Sequence, residues 1–135
     1  MNALTALAQY GQMKSEAAQY ASPYQLVLLL FNGAIESLSV AIGAIDNKDT
    51  ALRGKHVSRA ITIINGMRDV LDVNAESAIA DNLYALYTYM ANEIFKAGLH
   101  NDVATIKNIQ QMLIDIRGSW EQIPVEMQHI NRLQK

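Results

Sequence analysis

The side chains best suited to chemistry in this sequence are its three histidines and the acidic residues near them. One Glu-x-x-His spacing occurs, at Glu126 and His129, and on a helix such a pair supplies part of a di-iron carboxylate site. A complete site needs further inward-facing glutamates, which the apolar stripes described below lack. His56 and His100 lie in other segments, and there is no cysteine nucleophile or thiolate ligand. We therefore expect no catalytic residues, no metal site and no cofactor.

Basic side chains form a second candidate cluster, at Lys48, Arg53, Lys55 and Arg59. Nucleic-acid binding requires such a patch, usually with aromatic residues on which bases stack. No aromatic residue is interleaved here, and the formal net charge is -2. The pattern favours a solvated helix face, and we expect no nucleic-acid partner.

The composition indicates more apolar surface than one core hides. The chain has 135 residues, of which 50% are hydrophobic and 18% charged, whereas an average soluble domain has about 25% charged residues. The surplus predicts a second apolar surface that needs a partner, and the alternative is an alanine-rich bundle without such a surface. The N-terminal residues lack a basic region and a long apolar segment, and no run approaches the roughly 18 to 20 apolar residues of a membrane span. We expect a cytoplasmic protein with no membrane insertion.

The apolar run LVLLLFNGA, at residues 26–34, ends in Asn32-Gly33, a dipeptide typical of hairpin turns. A half-buried strand would alternate apolar and polar residues, but residues 26–31 are all apolar. A stripe with helical spacing instead passes through the dipeptide, at Tyr24, Leu28, Phe31, Ile35, Leu38, Ile42 and Ile45. The pattern predicts one continuous helix. Gly33 then marks either a close helix crossing or a shallow spot where a ligand chain approaches the backbone.

Start and stop signals divide the chain into four helices. Ser22 and Gln25 form a capping-box pattern before the first, Gly98 is expected to end the third, and Asn101 to cap the fourth. The helices are expected at about residues 23–45, 49–71, 77–98 and 102–121.

Long helices joined by short loops fold back on their neighbours. We therefore predict an all-α fold, an antiparallel up-down-up-down four-helix bundle, in a single domain over residues 1–135. Residues 1–20 are expected to form a mobile N-terminal arm with a short helix. Residues 122–135 form a tail, with a short C-terminal helix after Pro124.

The tyrosines of LYALYTYM cannot all face the bundle centre. Tyr87 and Tyr89 are about 200° apart around a helix, so at least one of these rings must be at the surface. Such a ring either covers its neighbours with its hydroxyl in water or forms the wall of a groove.

Several of these segments, in order and with their spacing, resemble the flagellar secretion chaperones that bind flagellin. The segments are ASPYQLVLLLFNGAI, KHVSRAITIINGMRDVLD, NLYALYTYM and LHNDV, followed by the tryptophan that closes the fourth helix. The resemblance runs from about Tyr10 to Trp120. Phe31-Asn32 stands where the family often has an aromatic residue followed by aspartate, and the tail lies outside the resemblance.

The resemblance implies a cytoplasmic chaperone without catalytic activity. Family members hold the disordered C-terminal segment of flagellin, prevent its premature polymerisation and help present it to the type III flagellar export gate. The client wraps around the bundle, partly as helices in apolar grooves. The N-terminal arm, through a tyrosine that Tyr10 matches, can occupy part of that surface when the client is absent.

Positions on the helical wheel, together with the family layout, give the candidate groove residues. With Tyr10 as an internal occupant, they are Ile61, Ile64, Tyr84, Tyr87, Met90, Ile94, Ile109 and Met112. The alternative is a structural bundle that self-associates through its apolar belt.

Overall fold

The computed structural model describes residues 22–71 and 78–122, and most of these residues lie in four helices. Its elements are α1 (Pro23–Asp46), α2 (Thr50–Asp69), α3 (Ala78–His100) and α4 (Val103–Glu121). The predicted all-α fold and the predicted order of the helices are confirmed, with bounds that differ by at most a turn. The predicted N-terminal arm and the short helix after Pro124 lie outside the described residues.

The start of α1 has the capping box that its sequence predicts. The Gln25 backbone N–H donates to Ser22 Oγ at 3.1 Å, and the Ser22 N–H donates to Gln25 Oε1 at 3.0 Å. Each bond satisfies a backbone donor that the helix itself leaves free. From this start α1 continues through Asn32 and Gly33 without a turn, so the hairpin reading of that dipeptide is excluded.

The turn from α1 to α2 is held by backbone bonds around a left-handed residue. Lys48 has a φ of 58°, and the next N–H, that of Asp49, donates to the Ala44 carbonyl at 2.8 Å. This is the bonding of a Schellman motif, which satisfies carbonyls at the end of a helix. The Asp49 carboxylate then caps α2 by accepting from the Leu52 N–H at 3.1 Å.

The turn from α3 to α4 repeats this arrangement, and two sequence predictions about it are wrong. Gly98 does not end α3, which runs to His100. Asn101 does not cap α4 but takes the left-handed position, with a φ of 54°. The cap is Asp102, whose carboxylate accepts from the Thr105 N–H at 3.1 Å and its hydroxyl at 2.6 Å.

Each helix packs against its sequence neighbours, and α4 closes the ring against α1. The end of α4 lies beside the start of α1, because Trp120 Nε1 donates to the Tyr24 carbonyl at 3.3 Å and the two rings stack with centroids 5.5 Å apart. Midway along, Gln110 Nε2 donates to the Ile35 carbonyl at 2.9 Å and to Ser39 Oγ at 2.6 Å. These contacts fix the antiparallel order of α1 and α4.

The apolar stripes of the four helices meet in one core. Its largest fully buried apolar side chains are Phe31, Leu30, Leu38, Ile63, Ile64, Met67, Met90, Ile94, Ile106 and Leu113. The Phe31 and Tyr87 rings meet edge to face, with centroids 6.5 Å apart, a favoured geometry for aromatic pairs. Burial raises the pKa of the Tyr87 hydroxyl.

By length and composition alone, the segment Tyr24–Asp46 of α1 is long and apolar enough to cross a membrane. The sequence expectation that no run approaches that length is therefore wrong on this measure. Half of the apolar window is buried inside the bundle, and a helix of a protein core passes the same test, so the segment is weak evidence for membrane insertion.

Candidate binding groove between α2 and α3

One flank of α3 carries large apolar side chains that the bundle leaves in solvent. Phe95 and Leu99 are 55% and 60% exposed, and their i, i+4 spacing puts them on adjacent turns of one face. Tyr84 is also exposed and lies within about 20° of Phe95 in projection down the helix axis. The three side chains form a broken apolar stripe along the edge of α3 that borders α2.

A depression lies between this stripe and α2, and we call it the α2–α3 groove. Its lining residues are Arg53, Gly54, Val57, Ser58 and Ile61 of α2 and Phe95, Gly98 and Leu99 of α3. The cavity volume is about 140 Å³, which is room for one large apolar side chain. The exposed Phe95 and Leu99 extend that apolar surface beyond the cavity.

The floor of the α2–α3 groove is formed where Gly98 meets Val57. A Cβ placed on Gly98 would lie 3.1 Å from each γ-methyl carbon of Val57, closer than ordinary van der Waals contact. The glycine therefore permits the close approach of α3 to α2.

Toward the other end of the two helices, Arg68 of α2 reaches across to α3. Its guanidinium carbon lies 5.3 Å from the centroid of the Tyr84 ring, within the range of a cation–π contact. Arg68 Nε also lies 3.5 Å from a carboxylate oxygen of Asp69. Tyr84 is thus held against α2 while it stays partly exposed.

The sequence-predicted groove residues that the structure describes are partly at the edge of the bundle and partly in its core. Ile61 lines the α2–α3 groove, and Tyr84 lies on the same flank of α3. Met112 of α4 is partly buried against the core. Tyr10 lies outside the described residues.

The other predicted groove residues are in the core, namely Ile64, Tyr87, Met90, Ile94 and Ile109. All five are buried, which corrects the expectation that they line an open groove. The reason is geometric, because the centre of each apolar stripe faces the bundle axis and only its edges reach a groove between helices.

Phe95, Leu99 and Gly98 are groove residues that the sequence analysis missed. Phe95 and Leu99 gave a signal, since they form an apolar i, i+4 pair outside the main stripe of α3. Gly98 gave none, because a glycine near the end of a helix is typical of a stop signal.

Cationic and titratable groups surround the first turns of α2. Arg53 Nη1 donates to Asn101 Oδ1 at 2.7 Å, which joins the start of α2 to the turn after α3.

Further along α2, desolvation and the neighbouring cations Arg59 and Lys55 lower the pKa of His56, whereas Glu36 opposes the shift. Among the described residues, His56 Nδ1 has no hydrogen-bond partner.

Within residues 22–71 and 78–122, no group of three or more His, Cys, Asp or Glu residues is arranged to hold a metal ion. The Glu126–His129 pair lies outside the described residues. The candidate site among the described residues is the apolar α2–α3 groove, with Arg53 at one end.

Comparison with known proteins gives a consistent result. The family model described as flagellar protein FliS matches residues 6–127 of the chain. The flagellar secretion chaperone FliSB of Pseudomonas aeruginosa is 33% identical over 124 residues, which cover 91% of this chain and 98% of that protein. The flagellar secretion chaperone FliS of Salmonella typhimurium is 38% identical over 116 residues, or 84% of this chain and 86% of that protein. That of Bacillus subtilis is 26% identical over 113 residues, or 84% of each chain.

These alignments confirm the family that the sequence motifs indicate. The matched region contains all four helices and every residue of the α2–α3 groove. The chain belongs to the FliS family of flagellar secretion chaperones.

Proposed function

We propose that this protein is a cytoplasmic export chaperone that binds the disordered C-terminal segment of flagellin in the α2–α3 groove. Bound in this way, the segment is kept from premature polymerisation and is delivered to the type III flagellar export apparatus, with no catalytic step. The relatives named flagellar secretion chaperones support the general role. Flagellin as the client, the contact with an export-gate component and the cytoplasmic location are parts of the proposal.

The observation that carries the proposal is the exposure of Phe95 and Leu99 beside a cavity of side-chain size. An amphipathic segment binds a groove between helices through apolar anchors at i, i+3, i+4 and i+7. A segment that orders on binding loses conformational entropy, so it needs apolar contact area to compensate. The α2–α3 groove supplies a place for one anchor and an apolar margin for its neighbours.

We assign the client contacts first to Ile61, Phe95 and Leu99, then to Tyr84. Met112 lies on α4, so it contacts the client only if the client also reaches that helix. In this proposal Tyr10 occupies part of the client surface when no client is bound.

The test is a calorimetric titration with a peptide that covers the C-terminal segment of flagellin, repeated at several temperatures. We expect a saturable 1:1 complex with a negative heat-capacity change, because apolar surface is buried. Phe95→Ala should weaken binding roughly tenfold or more, since exposed aromatic anchors dominate such interfaces.

Tyr89→Ala is the matched control. Tyr89 is 52% exposed, close to the value for Phe95, and is also on α3, but it does not line the α2–α3 groove. Equal losses of affinity for the two variants would contradict the groove as the client site.

A second candidate function has support from the same exposed pair. Phe95 and Leu99 can pack against a second copy of the chain, which is what a self-associating structural bundle requires. Size-exclusion chromatography with light scattering separates the two functions. A monomer that binds the peptide supports the chaperone, and a stable oligomer that does not bind supports the structural bundle.

A further inference from the structure

Arg53 is located where two depressions of the surface meet. It lines the α2–α3 groove, and it also lines a second depression at the end of the bundle, with Lys48, Thr50 and Asn101 among its neighbours. A chain that lies along the groove toward this end therefore passes over the Arg53 guanidinium.

The position of this guanidinium is fixed by the turn between α3 and α4. Its Nη1 donates to Asn101 Oδ1 at 2.7 Å. Asn101 is held in turn by its left-handed backbone and by the bond from the next residue's N–H, that of Asp102, to the Ala97 carbonyl at 2.9 Å. A side chain held in this way loses less conformational entropy when it binds a second partner.

Among the described residues, the hydrogen-bond acceptor of this guanidinium is Asn101. An arginine has five N–H donors, of which the Asn101 bond uses one. Within the described part of the chain, no ion pair involves Arg53. Asp49 lines the second depression, but its Oδ1 accepts the Leu52 N–H and caps α2.

We infer that Arg53, positioned by Asn101, binds a carboxylate of the segment whose apolar side chains occupy the α2–α3 groove. This inference rests on the proposed function. It means that the protein selects its client by charge as well as by apolar side chains. A guanidinium matches a carboxylate with two parallel hydrogen bonds. Lys48, at the same end, adds a second positive charge, which the capping carboxylate of Asp49 partly offsets. The preferred client therefore has apolar anchors followed, toward this end, by an acidic side chain or a terminal carboxylate.

The test is a double-mutant cycle with the flagellin C-terminal peptide as the probe. Peptide versions replace each Asp by Asn and each Glu by Gln, one at a time, and a further version has an amidated C-terminus. Each is titrated against the wild-type protein and against Arg53→Gln. One peptide version should lose roughly five- to tenfold in affinity for the wild-type protein. Against Arg53→Gln, the same version should bind almost as tightly as the unmodified peptide does.

Matched variants separate recognition from a general effect of charge. Lys55→Gln removes an equal charge two residues along α2, about 200° around the helix, and should leave the coupling intact. Arg53→Lys keeps the charge without the planar fork and should retain only part of the coupling. Asn101→Gly keeps the left-handed turn, which glycine accepts, but removes the oxygen that positions Arg53, and should reduce the coupling.

Failure of the inference differs from failure of the proposed function. If the peptide binds and Phe95→Ala weakens it, but every peptide version loses the same affinity for wild type and Arg53→Gln, the carboxylate contact is wrong and the groove stands. If the wild-type protein binds no version of the peptide, the proposed function fails, and the inference that rests on it fails too. Equal thermal transitions for wild type and Arg53→Gln exclude a folding defect.

Discussion

Gly98 of α3 packs directly against Val57 of α2, so that even a Cβ on the glycine would press against the valine side chain. A Cβ at Gly98 would be 3.1 Å from both γ-methyl carbons of Val57. The separation of the two helices at the α2–α3 groove is therefore set by a residue without a side chain.

Gly98→Leu should lower the free energy of unfolding by about 1–3 kcal/mol, because the added side chain must displace Val57 or separate the helices. Urea unfolding measures the loss, and the double variant with Val57→Ala should recover part of it. Gly118→Leu is the control, since a Cβ there meets no atom within 4 Å. It should be neutral or stabilising by about 0.5–1 kcal/mol through helix propensity. Equal destabilisation of the two variants would refute the steric explanation.

Ile64→Asp and Ile61→Asp should differ although the residues lie one turn apart on α2. Ile64 is fully buried, and an unpaired carboxylate there should cost several kcal/mol of stability. Ile61 borders the α2–α3 groove, so its variant should stay folded and lose affinity for the flagellin peptide. Urea unfolding and calorimetric titration measure the two effects. An Ile64→Asp protein with wild-type stability would place Ile64 outside the core.

The lowered pKa of His56 predicts that the protein is less stable in mild acid. Because the folded-state pKa lies below the unfolded value of 6.5, the unfolded chain binds more protons between the two values. The free energy of unfolding therefore rises as pH increases through that window and levels off above it. Desolvation is the main cause, with Arg59 and Lys55 adding to it against the opposing charge of Glu36.

Urea unfolding at a series of pH values from about 5 to 7.5 measures this dependence, since the window lies at and below the unfolded histidine pKa. His56→Gln should flatten the slope of the free energy of unfolding against pH. Introduced into a His100→Gln background, His56→Gln should change that slope by the same amount. A slope that persists in His56→Gln would assign the pH dependence to another group.

Ser22→Ala should lower the free energy of unfolding by about 1 kcal/mol, because it removes the acceptor for the Gln25 N–H at the start of α1. Gln25→Ala, which removes the reciprocal bond to the Ser22 N–H, should have a smaller effect. Thermal or urea unfolding checks both, with Ser58→Ala on the surface of α2 as the control. A larger loss for Ser58→Ala than for Ser22→Ala would contradict the capping role.

Local signals in the sequence were sufficient for the helices themselves. Ser22 and Gln25 are neighbours along the chain, so their reciprocal bonds follow from the residues alone. The stripe through Asn32-Gly33 likewise predicts a continuous α1, because the apolar spacing on both sides of the dipeptide has one phase. The family motifs also lie in these segments, which is why the resemblance was correct.

The binding site depended on contacts between segments that are distant in sequence. Tyr84 and Tyr87 are one turn apart and look alike in the sequence, yet Tyr84 is exposed and Tyr87 is buried. Tyr87 meets the Phe31 ring of α1 in the core, whereas Tyr84 lies beside Arg68 of α2 at the edge of the bundle. The partners that decide between the two rings are therefore on other helices. Gly98 looked like a stop signal because its partner, Val57, lies on another helix.

The sequence by itself therefore determined the four helices, their order and the family, since hydrogen bonding and apolar periodicity act within a few residues. Only the tertiary structure decided which apolar residues are core and which line the α2–α3 groove. The physical reason is that burial depends on the neighbouring helix, and a position at the edge of an apolar stripe is exposed or covered according to how closely that helix approaches.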